Sequence, residues 1–275
     1  MLYFKIKKTL RMPKKVYIQS RENKIIKKVK YLKTKKGRDE HNQFVVEGEK
    51  FVDEIPSDYA IEFFVVSQTF MYKSEISNYE GIADIFVVRD NLFKEITQTI
   101  SPQGIIAAVS KKEYKLSNIS IDNCFILVAE NLQDPGNLGT LIRTADSAGA
   151  DAVIITKNSV EAYNPKVIRS AAGSIFNLPI IENIKTNEIL EFLKTNGIQI
   201  YAAHLKGKKY LYEADFTKNL AIIIGNEGKG LSDDFNNNFS QLIKIPIIGR
   251  AESLNASIAS AILLYEVVRQ RLINF

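Results

Sequence analysis

Arg143 is the first residue whose type and position suggest chemistry, because it lies in a predicted helix that follows an apolar strand. Pro135-Gly136 supplies the turn into that helix, and Asn137 is a good N-cap candidate. The free N–H groups of such a helix start can hold an anion. Taken alone, however, the pattern fits any strand-to-helix turn, in which Arg143 is only a surface ion-pair residue.

A glycine-rich loop follows a second apolar strand, with Gly225, Gly228 and Gly230 close together. Such a loop needs positive φ angles or lies where another group approaches the backbone closely. Its order, G-x-x-G-x-G, differs from the dinucleotide fingerprint G-x-G-x-x-G and from the Walker A loop, which argues against a nucleotide-dependent oxidoreductase or an NTPase. Glu227 in this loop can be only a carboxylate near the start of a helix, where its negative charge interacts favourably with the helix dipole.

Ser253 and Asn255 belong to a third polar segment, between a strand that ends at Pro246 and a long helix. Both residue types are common N-caps, and by themselves they need no further function. Only the order and spacing of all three segments together carry a specific signal.

The elements that must position these segments alternate between strand and helix. Strands that are apolar on both faces and alternate with helices indicate an α/β fold with a mostly parallel sheet. The predicted strands are Phe125–Ala129, Ala152–Thr156, Gln199–Ala203, Ala221–Gly225 and Leu242–Ile245. The predicted helices lie near Leu138–Ala148, Pro165–Ala172, Asn187–Thr195 and Asn255–Asn274.

The last predicted helix carries an apolar stripe that is wider than one face needs. The stripe contains Ile258, Ile262, Tyr265, Val268 and Leu272, and it is widened by Leu263, Leu264 and Val267. We therefore expect this helix to be covered on more than one side, by a dimer contact or by a deep position in the core.

The first half of the chain predicts a smaller α/β unit from Phe44 onward. Its predicted strands are Ile61–Val66, Ile85–Val88 and Ile105–Val109, with helical segments at Glu49–Ile55 and Asn91–Ile100. A polar stretch around residues 111–118 is the best linker candidate. We divide the chain into a basic arm (1–15), a small α/β domain (16–112), a linker (113–120) and a large α/β domain (121–275).

Positive charge is concentrated at the start of the chain. The segment from Met1 to Arg38 contains 15 Lys and Arg against one acid, Glu22, whereas the whole chain has a net charge of +6. This asymmetry indicates a polyanion as partner, bound through phosphate contacts. A solvated, partly disordered arm is the alternative, and an anionic membrane surface is a weaker one.

The composition excludes several classes of protein. With 45% hydrophobic and 25% charged residues, the chain is neither disordered nor a disulfide scaffold. One cysteine, Cys124, and two histidines, His41 and His204, leave no structural zinc site, so we expect no metal. Cys124 lies in an apolar run and is expected in the core. We find no membrane-span pattern and no signal peptide, and we expect a cytoplasmic protein.

Together, the three segments resemble the motifs of the SpoU/TrmH family of RNA 2′-O-ribose methyltransferases, in the SPOUT superfamily. The first motif, Asn-x-Gly-x-x-x-Arg, is met by Asn137, Gly139 and Arg143. The second, Gly-x-Glu-x-x-Gly, is met by Gly225, Glu227 and Gly230. The third, Ile-Pro followed by Ser-Leu-Asn, is met by Ile245-Pro246 and Ser253-Leu254-Asn255.

This resemblance implies a C-terminal trefoil knot that binds S-adenosylmethionine. The cofactor contacts that it implies are Gly225, Asn226, Ile245, Pro246, Ile247, Leu254 and Asn255. The catalytic residues that it implies are Arg143, Asn137, Glu227, Ser253 and Asn255. Because a guanidinium stays protonated and accepts no hydrogen bond, we expect Arg143 to orient the nucleotide and stabilise developing alkoxide charge rather than act as a base.

The N-terminal half resembles, less specifically, the small RNA-binding domain of ribosomal-protein L30e type that many family members carry. The resemblance rests on residues 44–48 and 102–105. The expected RNA contacts are Lys14, Lys15, Lys27, Lys28 and Arg38. The expected protein is a homodimeric enzyme that methylates 23S ribosomal RNA. The alternatives are a tRNA 2′-O-methyltransferase and a non-catalytic RNA-binding or ribosome-assembly protein on the same fold.

Overall fold

The computed structural model describes residues 13–204, 207–226, 228, 230–236 and 241–273. Contacts divide the chain into two compact units, with the boundary between Lys111 and Lys112. Tyr114 and Leu116 pack on the core of the second unit, so part of the segment predicted as a linker contributes to that unit's packing.

The first unit contains a five-stranded mixed sheet with the strand order β1-β4-β3-β5-β2. β1, β4 and β3 pair in parallel, whereas β5 is antiparallel to both β3 and β2. The strands are β1 (Lys15–Ile18), β2 (Gln43–Glu47), β3 (Ile61–Ser67), β4 (Asp84–Val88) and β5 (Ile105–Ser110). The helices are α1 (Lys24–Leu32), α2 (Lys35–His41), α3 (Glu49–Asp53), α4 (Gln68–Met71) and α5 (Asp90–Ile96).

The lysine-rich segment that precedes β2 is folded from Lys15 onward. Ile26, Val29 and Leu32 recur at helical spacing among the lysines of α1, and all three are fully buried. Asn23 caps this helix, since its side chain accepts a hydrogen bond from the Ile25 N–H. The interpretation of this segment as a partly disordered arm is therefore wrong from Lys15 onward, and residues 1–12 of the predicted arm lie outside the described residues.

Arg38 lies in α2 and connects this helix to the end of α1. Its side chain donates to the Leu32 carbonyl at 2.9 Å, and the residue is only 2% exposed. A guanidinium buried in this way faces the interior of the unit, which argues against the prediction that Arg38 binds RNA.

The second unit is built on a seven-stranded sheet with the order β10-β12-β9-β11-β6-β7-β8. All of its described strand pairings are parallel. The strands are β6 (Phe125–Ala129), β7 (Ala152–Thr156), β8 (Ile180–Ile184), β9 (Gln199–Ala203), β10 (Lys209–Tyr210), β11 (Leu220–Ile224) and β12 (Gln241–Lys244). The helices are α6 (Pro135–Ser147), α7 (Pro165–Ala171), α8 (Thr186–Thr195), α9 (Asp233–Asn236) and α10 (Ala256–Ile273).

The expected α/β class with a mostly parallel sheet is confirmed. The central strands β6, β7 and β11 are buried along their whole length, which explains why they are apolar on both faces. Cys124, just before β6, is fully buried, as expected for a core residue. The pattern does not predict β8 and β10, which are the two edge strands and are short or interrupted by polar residues.

α10 turns one apolar face into the unit and leaves another at its surface. Leu263, Leu264 and Val267 are fully buried, so the residues that were expected only to widen the stripe form its core contact. On the opposite side, Tyr265 is 50% exposed and Leu272 is 65% exposed. Arg271 anchors the end of the helix, since its guanidinium donates to four backbone carbonyls around β6 and β11.

Gly139 allows α6 and α7 to pack closely. A Cβ atom at this position would lie 2.4 Å from the Ser170 Cβ and 2.6 Å from the Val167 carbonyl oxygen. Both distances are far below normal contact, and neither atom belongs to the end of a flexible side chain. The glycine of the first motif is thus required by helix packing.

We expect Gly139→Ala to destabilise the protein by about 1–3 kcal/mol, because α7 must move away to accommodate the methyl group. Urea denaturation measures this difference. Gly249→Ala is the matched control, since no described atom lies within 4 Å of the position of its Cβ. Equal stabilities of the two variants would contradict the packing argument.

Candidate active site

The three predicted motifs lie on the loops that follow β6, β11 and β12. β11 pairs with β6 on one side and with β9 on the other, and β12 pairs with β9. Because all of these strands are parallel, their carboxyl ends lie at one edge of the sheet. This edge is where open α/β sheets bind their ligands.

The segment that leads from β6 into the first motif begins with a backbone turn at Asn131. This residue has a left-handed conformation, with φ of 52°, and its N–H donates to the Thr156 side chain at the end of β7. The helix α6 then starts at Pro135 with Asp134 as its N-cap, whose carboxylate accepts from the Asn137 N–H at 2.8 Å. The prediction that Asn137 caps the helix is therefore wrong, and Asn137 lies in the first turn.

The second motif forms a closed loop after β11. Asn226 and Gly230 exchange two backbone hydrogen bonds, and the Asn226 side chain donates to the Asn131 carbonyl at 2.9 Å. The same side chain accepts from the Gly228 N–H. A Cβ on Gly225 would lie 2.7 Å from the Gly230 backbone, so the glycine is required where the loop closes. Glu227 lies outside the described residues.

The third motif joins the start of α10 to the first motif. The Asn255 Oδ1 accepts from the Ser257 N–H at 2.9 Å and from the Ser257 hydroxyl, which makes Asn255 the cap of α10. Its Nδ2 donates to the Asn137 Oδ1 at 3.1 Å. Two residues that are 118 positions apart in the sequence thus meet through their side-chain amides.

A cavity of about 480 Å³ lies between the loops that follow β11 and β12. Its lining combines glycine backbone at 225, 228 and 230 with the apolar side chains of Leu231, Ile245, Ile247 and Leu254. Two titratable side chains in the described lining, His204 and Glu252, were not predicted as site residues. The cavity has the size of a small-molecule site, and its wall combines polar and apolar groups in similar proportions.

The predicted cofactor contacts divide into two groups. Gly225, Asn226, Ile245, Ile247 and Leu254 line the cavity, together with the predicted catalytic residue Ser253. Pro246 and Asn255 do not appear among the described lining residues, although each lies next in sequence to a residue that does. The second and third motifs therefore share one cavity.

Arg143 lies on the exposed face of α6, two turns beyond Asn137. Within the described ranges, no hydrogen bond or ion pair engages its side chain, and it is not part of the described cavity lining. The neighbouring hydroxyls of Thr140 and Thr144 instead donate to carbonyls of their own helix. Arg143 is also the only lysine or arginine in α6, so it provides this helix with its one cation.

Glu130 is the most deeply buried charged residue at this edge, and the sequence analysis did not select it. It follows β6 directly and has no exposed surface. Its carboxylate accepts from the Ser232 N–H at 3.0 Å and from the Asn131 side chain at 3.4 Å. Burial, with a smaller contribution from Asp234, raises the pKa of Glu130. The sequence feature that could have identified Glu130 is an acidic residue directly after an otherwise apolar strand.

The predicted RNA contacts of the first unit differ in their availability. Lys15 pairs with Glu80, and Lys27 pairs with Glu22 at 2.6 Å. The Lys28 ammonium lies 5.5 Å from the centre of the Phe63 ring, whereas Lys14 is exposed. All four ammonium groups are at the surface or half-buried, in contrast to Arg38.

The described residues contain neither a cluster that could bind a metal ion nor a helix that could span a membrane. Across the described ranges, no group of three or more His, Cys, Asp or Glu side chains is arranged to hold a metal ion. None of the helices that the structure describes is long and apolar enough to span a membrane.

Comparisons with known proteins identify both units. The sequence pattern of the SpoU rRNA methylase family matches residues 124–265, and that of the MRM3-like substrate-binding domain matches residues 23–107. The 23S rRNA (guanosine(2553)-2′-O)-methyltransferase RlmP of Bacillus subtilis is 35% identical over 91% of this chain and 98% of its own length. The putative TrmH family tRNA/rRNA methyltransferase YacO of the same organism is 32% identical over 72% of this chain and 81% of its own length.

Solved structures agree with the sequence comparisons. The AdoMet-bound rRNA methyltransferase from Sinorhizobium meliloti superimposes with a TM-score of 0.84 at 29% identity, covering 93% of this chain and 98% of that chain. A structure described as an RNA 2′-O ribose methyltransferase gives a TM-score of 0.79 at 31% identity, covering 94% of this chain and all of that chain.

The capping contact of Asn255 predicts how two substitutions differ. Asn255→Ala loses the cap and should destabilise the protein by about 1 kcal/mol, whereas Asn255→Ser keeps a capping oxygen and should stay near the wild-type stability. Both variants lose the bond to Asn137. Denaturant unfolding of the two variants checks the expected difference, and equal stabilities would show that the cap contributes nothing.

Proposed function

The chain belongs to the SpoU rRNA methylase family and is an S-adenosylmethionine-dependent RNA 2′-O-ribose methyltransferase, and we propose that its substrate is 23S ribosomal RNA. The observation that supports this substrate is the 35% identity to a 23S rRNA methyltransferase over nearly the whole length of both chains. Other relatives are named for tRNA or rRNA, and one of them matches 92% of this chain at 30% identity, so a tRNA substrate is the second candidate. We also propose a cytoplasmic location, because ribosomal RNA is found there.

The cavity fits the proposed cofactor. Glycines at 225, 228 and 230 let a ligand approach the backbone, and Leu231, Ile245 and Leu254 provide apolar walls for an adenine ring. When bound, S-adenosylmethionine supplies a methyl group on a sulfonium, which an oxygen nucleophile can take. We propose Gly225, Asn226, Ile245, Pro246, Ile247, Leu254 and Asn255 as the residues that form or support this site.

Arg143 is the proposed catalytic residue. Its guanidinium, on the exposed face of α6, would hold a phosphate of the RNA and stabilise negative charge as the 2′-hydroxyl reacts. Ser253 on the cavity wall and the Asn137–Asn255 pair would orient the ribose and the start of α6. Glu227, which lies in the same loop as Gly225, completes the proposed catalytic set.

The first unit is proposed to bind RNA, in agreement with its match to a substrate-binding domain. Lys14, Lys15, Lys27 and Lys28 are the proposed phosphate contacts. Exposed ion pairs such as those of Lys15 and Lys27 are weak, so both lysines can exchange a carboxylate for a phosphate at little cost.

We infer that the catalytic unit contains a trefoil knot, as the family resemblance implies. Two features support this inference. β12 lies between β9 and β10 in the sheet although it follows both in sequence. The segment that leaves β12 then shares a cavity with the loop after β11.

A homodimer is the proposed assembly, and the exposed apolar side of α10 supports it. Ile258, Tyr265 and Leu272 recur every seven residues and are all at least half exposed. Apolar residues in such a row usually mark a protein interface.

The function is tested by transfer of labelled methyl from S-adenosylmethionine to unmodified 23S rRNA, bulk tRNA and assembled ribosomal particles. Nuclease digestion identifies the product, and a 2′-O-methylnucleoside from 23S rRNA or its particle is expected. Labelled tRNA alone would replace the proposed substrate with the second candidate. RNA binding at increasing salt, in the same preparation, measures the share of affinity that comes from phosphate contacts.

We expect Arg143→Lys to lower kcat by roughly 10²-fold, because lysine provides a point charge without the two parallel donors of a guanidinium. The methyl-transfer assay under saturating cofactor and RNA measures this loss. Arg89→Lys is the matched control, since Arg89 is exposed and is not among the proposed catalytic, RNA-binding or dimer residues. Near-normal turnover of Arg143→Lys would leave Arg143 with no specific catalytic role.

Tyr265→Glu should convert the proposed dimer into a monomer, because a carboxylate would be buried in an apolar interface. Sedimentation should give twice the 31.1 kDa chain mass for the wild type and a single chain mass for the variant. Tyr72→Glu, at a 79% exposed tyrosine of the first unit, is the control. A wild-type protein that sediments as a monomer would overturn the proposal.

A further inference from the structure

Glu130 contacts both ends of the glycine-rich loop. Its backbone N–H donates to the Ile224 carbonyl at 2.8 Å, where the loop begins. Its carboxylate accepts from the Ser232 N–H at 3.0 Å, where the loop ends. The residues between these two points include Gly225, Asn226, Gly228, Gly230 and Leu231, all of which line the cavity.

The residue next to Glu130 holds the middle of the same loop. The Asn131 carbonyl accepts from the Asn226 side chain at 2.9 Å, and the Asn131 side chain donates to the Glu130 carboxylate. Asn226 in turn pairs with Gly230 through its backbone. The strand end at Glu130-Asn131 thus contacts the loop at its start, at its closing pair and at its end.

We propose that Glu130 is a positioning residue for the cofactor, whose buried carboxylate holds the glycine-rich loop in the shape that lines the cavity. This inference rests on the proposed cofactor site. Glu130 does not line the cavity itself among the described residues, so it acts on the ligand only through the loop.

The chemistry favours this role over simple packing. A buried carboxylate is costly to a fold because it loses its hydration, so hydrogen-bond donors must compensate for the burial. An ionised carboxylate, however, accepts backbone N–H bonds more strongly than a neutral group does. The Ser232 N–H has this strong acceptor at the point where the loop must return to the fold.

The test compares Glu130→Gln and Glu130→Met with the wild type in the full-length protein. Calorimetric titration with S-adenosylmethionine and with S-adenosylhomocysteine measures cofactor affinity in the absence of RNA. We expect Glu130→Gln, which keeps a neutral acceptor, to bind roughly 5- to 10-fold more weakly. Glu130→Met, which fills the space without a hydrogen-bond acceptor, should bind the cofactor roughly 10- to 100-fold more weakly.

Thermal unfolding without cofactor separates positioning from packing. If Glu130 only filled space, Met would be at least as good as Gln in both stability and affinity. The positioning role instead predicts that the Met variant is still folded at the temperature of the titration but binds the cofactor most weakly of the three proteins. In turnover, the KM for the cofactor should rise in both variants, and kcat at saturating cofactor should change by less than about threefold.

Glu182→Gln is the matched control, because the Glu182 carboxylate also accepts a backbone N–H, from Ala162 at 2.9 Å, but on the edge strand β8. Its cofactor affinity should equal that of the wild type. The comparison requires that the wild type bind the cofactor. A wild type that binds neither compound would overturn the proposed cofactor site, whereas wild-type affinity in Glu130→Met would overturn only the role of Glu130.

The pH dependence gives an independent readout. Because burial raises the pKa of Glu130, the wild type should lose cofactor affinity as the pH falls through that raised value, where the carboxyl becomes protonated and the strong acceptor is lost. Asp234, whose charge acts on Glu130, and the titratable residues His204 and Glu252 of the cavity lining are the same in both proteins. In Glu130→Gln, cofactor affinity should not fall over this pH range through protonation of residue 130. Identical pH profiles of cofactor affinity in the two proteins would contradict the proposal.

Discussion

Parallel pairing is the constraint on which the catalytic unit depends. In a parallel sheet every strand ends at the same edge, so the loops after β6, β11 and β12 converge although they are far apart in sequence. The same pairing buries the central strands on both faces, which leaves the loops at this edge as the place where polar side chains can gather. The three motifs are therefore neighbours because of the strand directions, and their side chains only refine that arrangement.

Side-chain amides of asparagine connect the loops that parallel pairing brings together. Asn226 satisfies the carbonyl of Asn131, and Asn255 satisfies both the start of α10 and the amide of Asn137. Each amide can donate and accept at once, so a single asparagine can join two loops where an ionised aspartate, which only accepts, would leave one group unpaired. Asparagines in these motifs thus have a structural reason that is independent of any ligand. Consequently, a loss of activity on substituting one of them would not by itself identify a contact with the substrate.

The sequence predicts the second unit well because its strands are buried on both faces and its helices alternate with them. The predicted bounds of β6, β7 and β9 match the structure, and the other two predicted strands are shifted by one residue. The first unit is predicted less well, since four lysines interrupt the apolar residues of α1 and hide its helical period. The Asp134 cap is missed although Asp-Pro is a regular helix start, because Asn137 three positions later is also a common N-cap residue. The partners of Glu130 and Asn131 cannot be predicted from local pattern, since Ser232 and Asn226 are about a hundred positions away.

The arrangement bears on how the proposed catalytic residue Arg143 could assist the methylation of a ribose hydroxyl. The asparagines at this edge are engaged with one another, and Glu130 is buried behind the loop. What remains facing solvent on α6 is the guanidinium of Arg143, which cannot accept a proton at neutral pH. A fixed cation near the reacting oxygen stabilises the alkoxide as it forms and so makes the hydroxyl easier to deprotonate, whichever group takes the proton. The proposed mechanism requires that α6 be placed rigidly, and the close packing at Gly139 and the Asn137–Asn255 contact both restrain this helix.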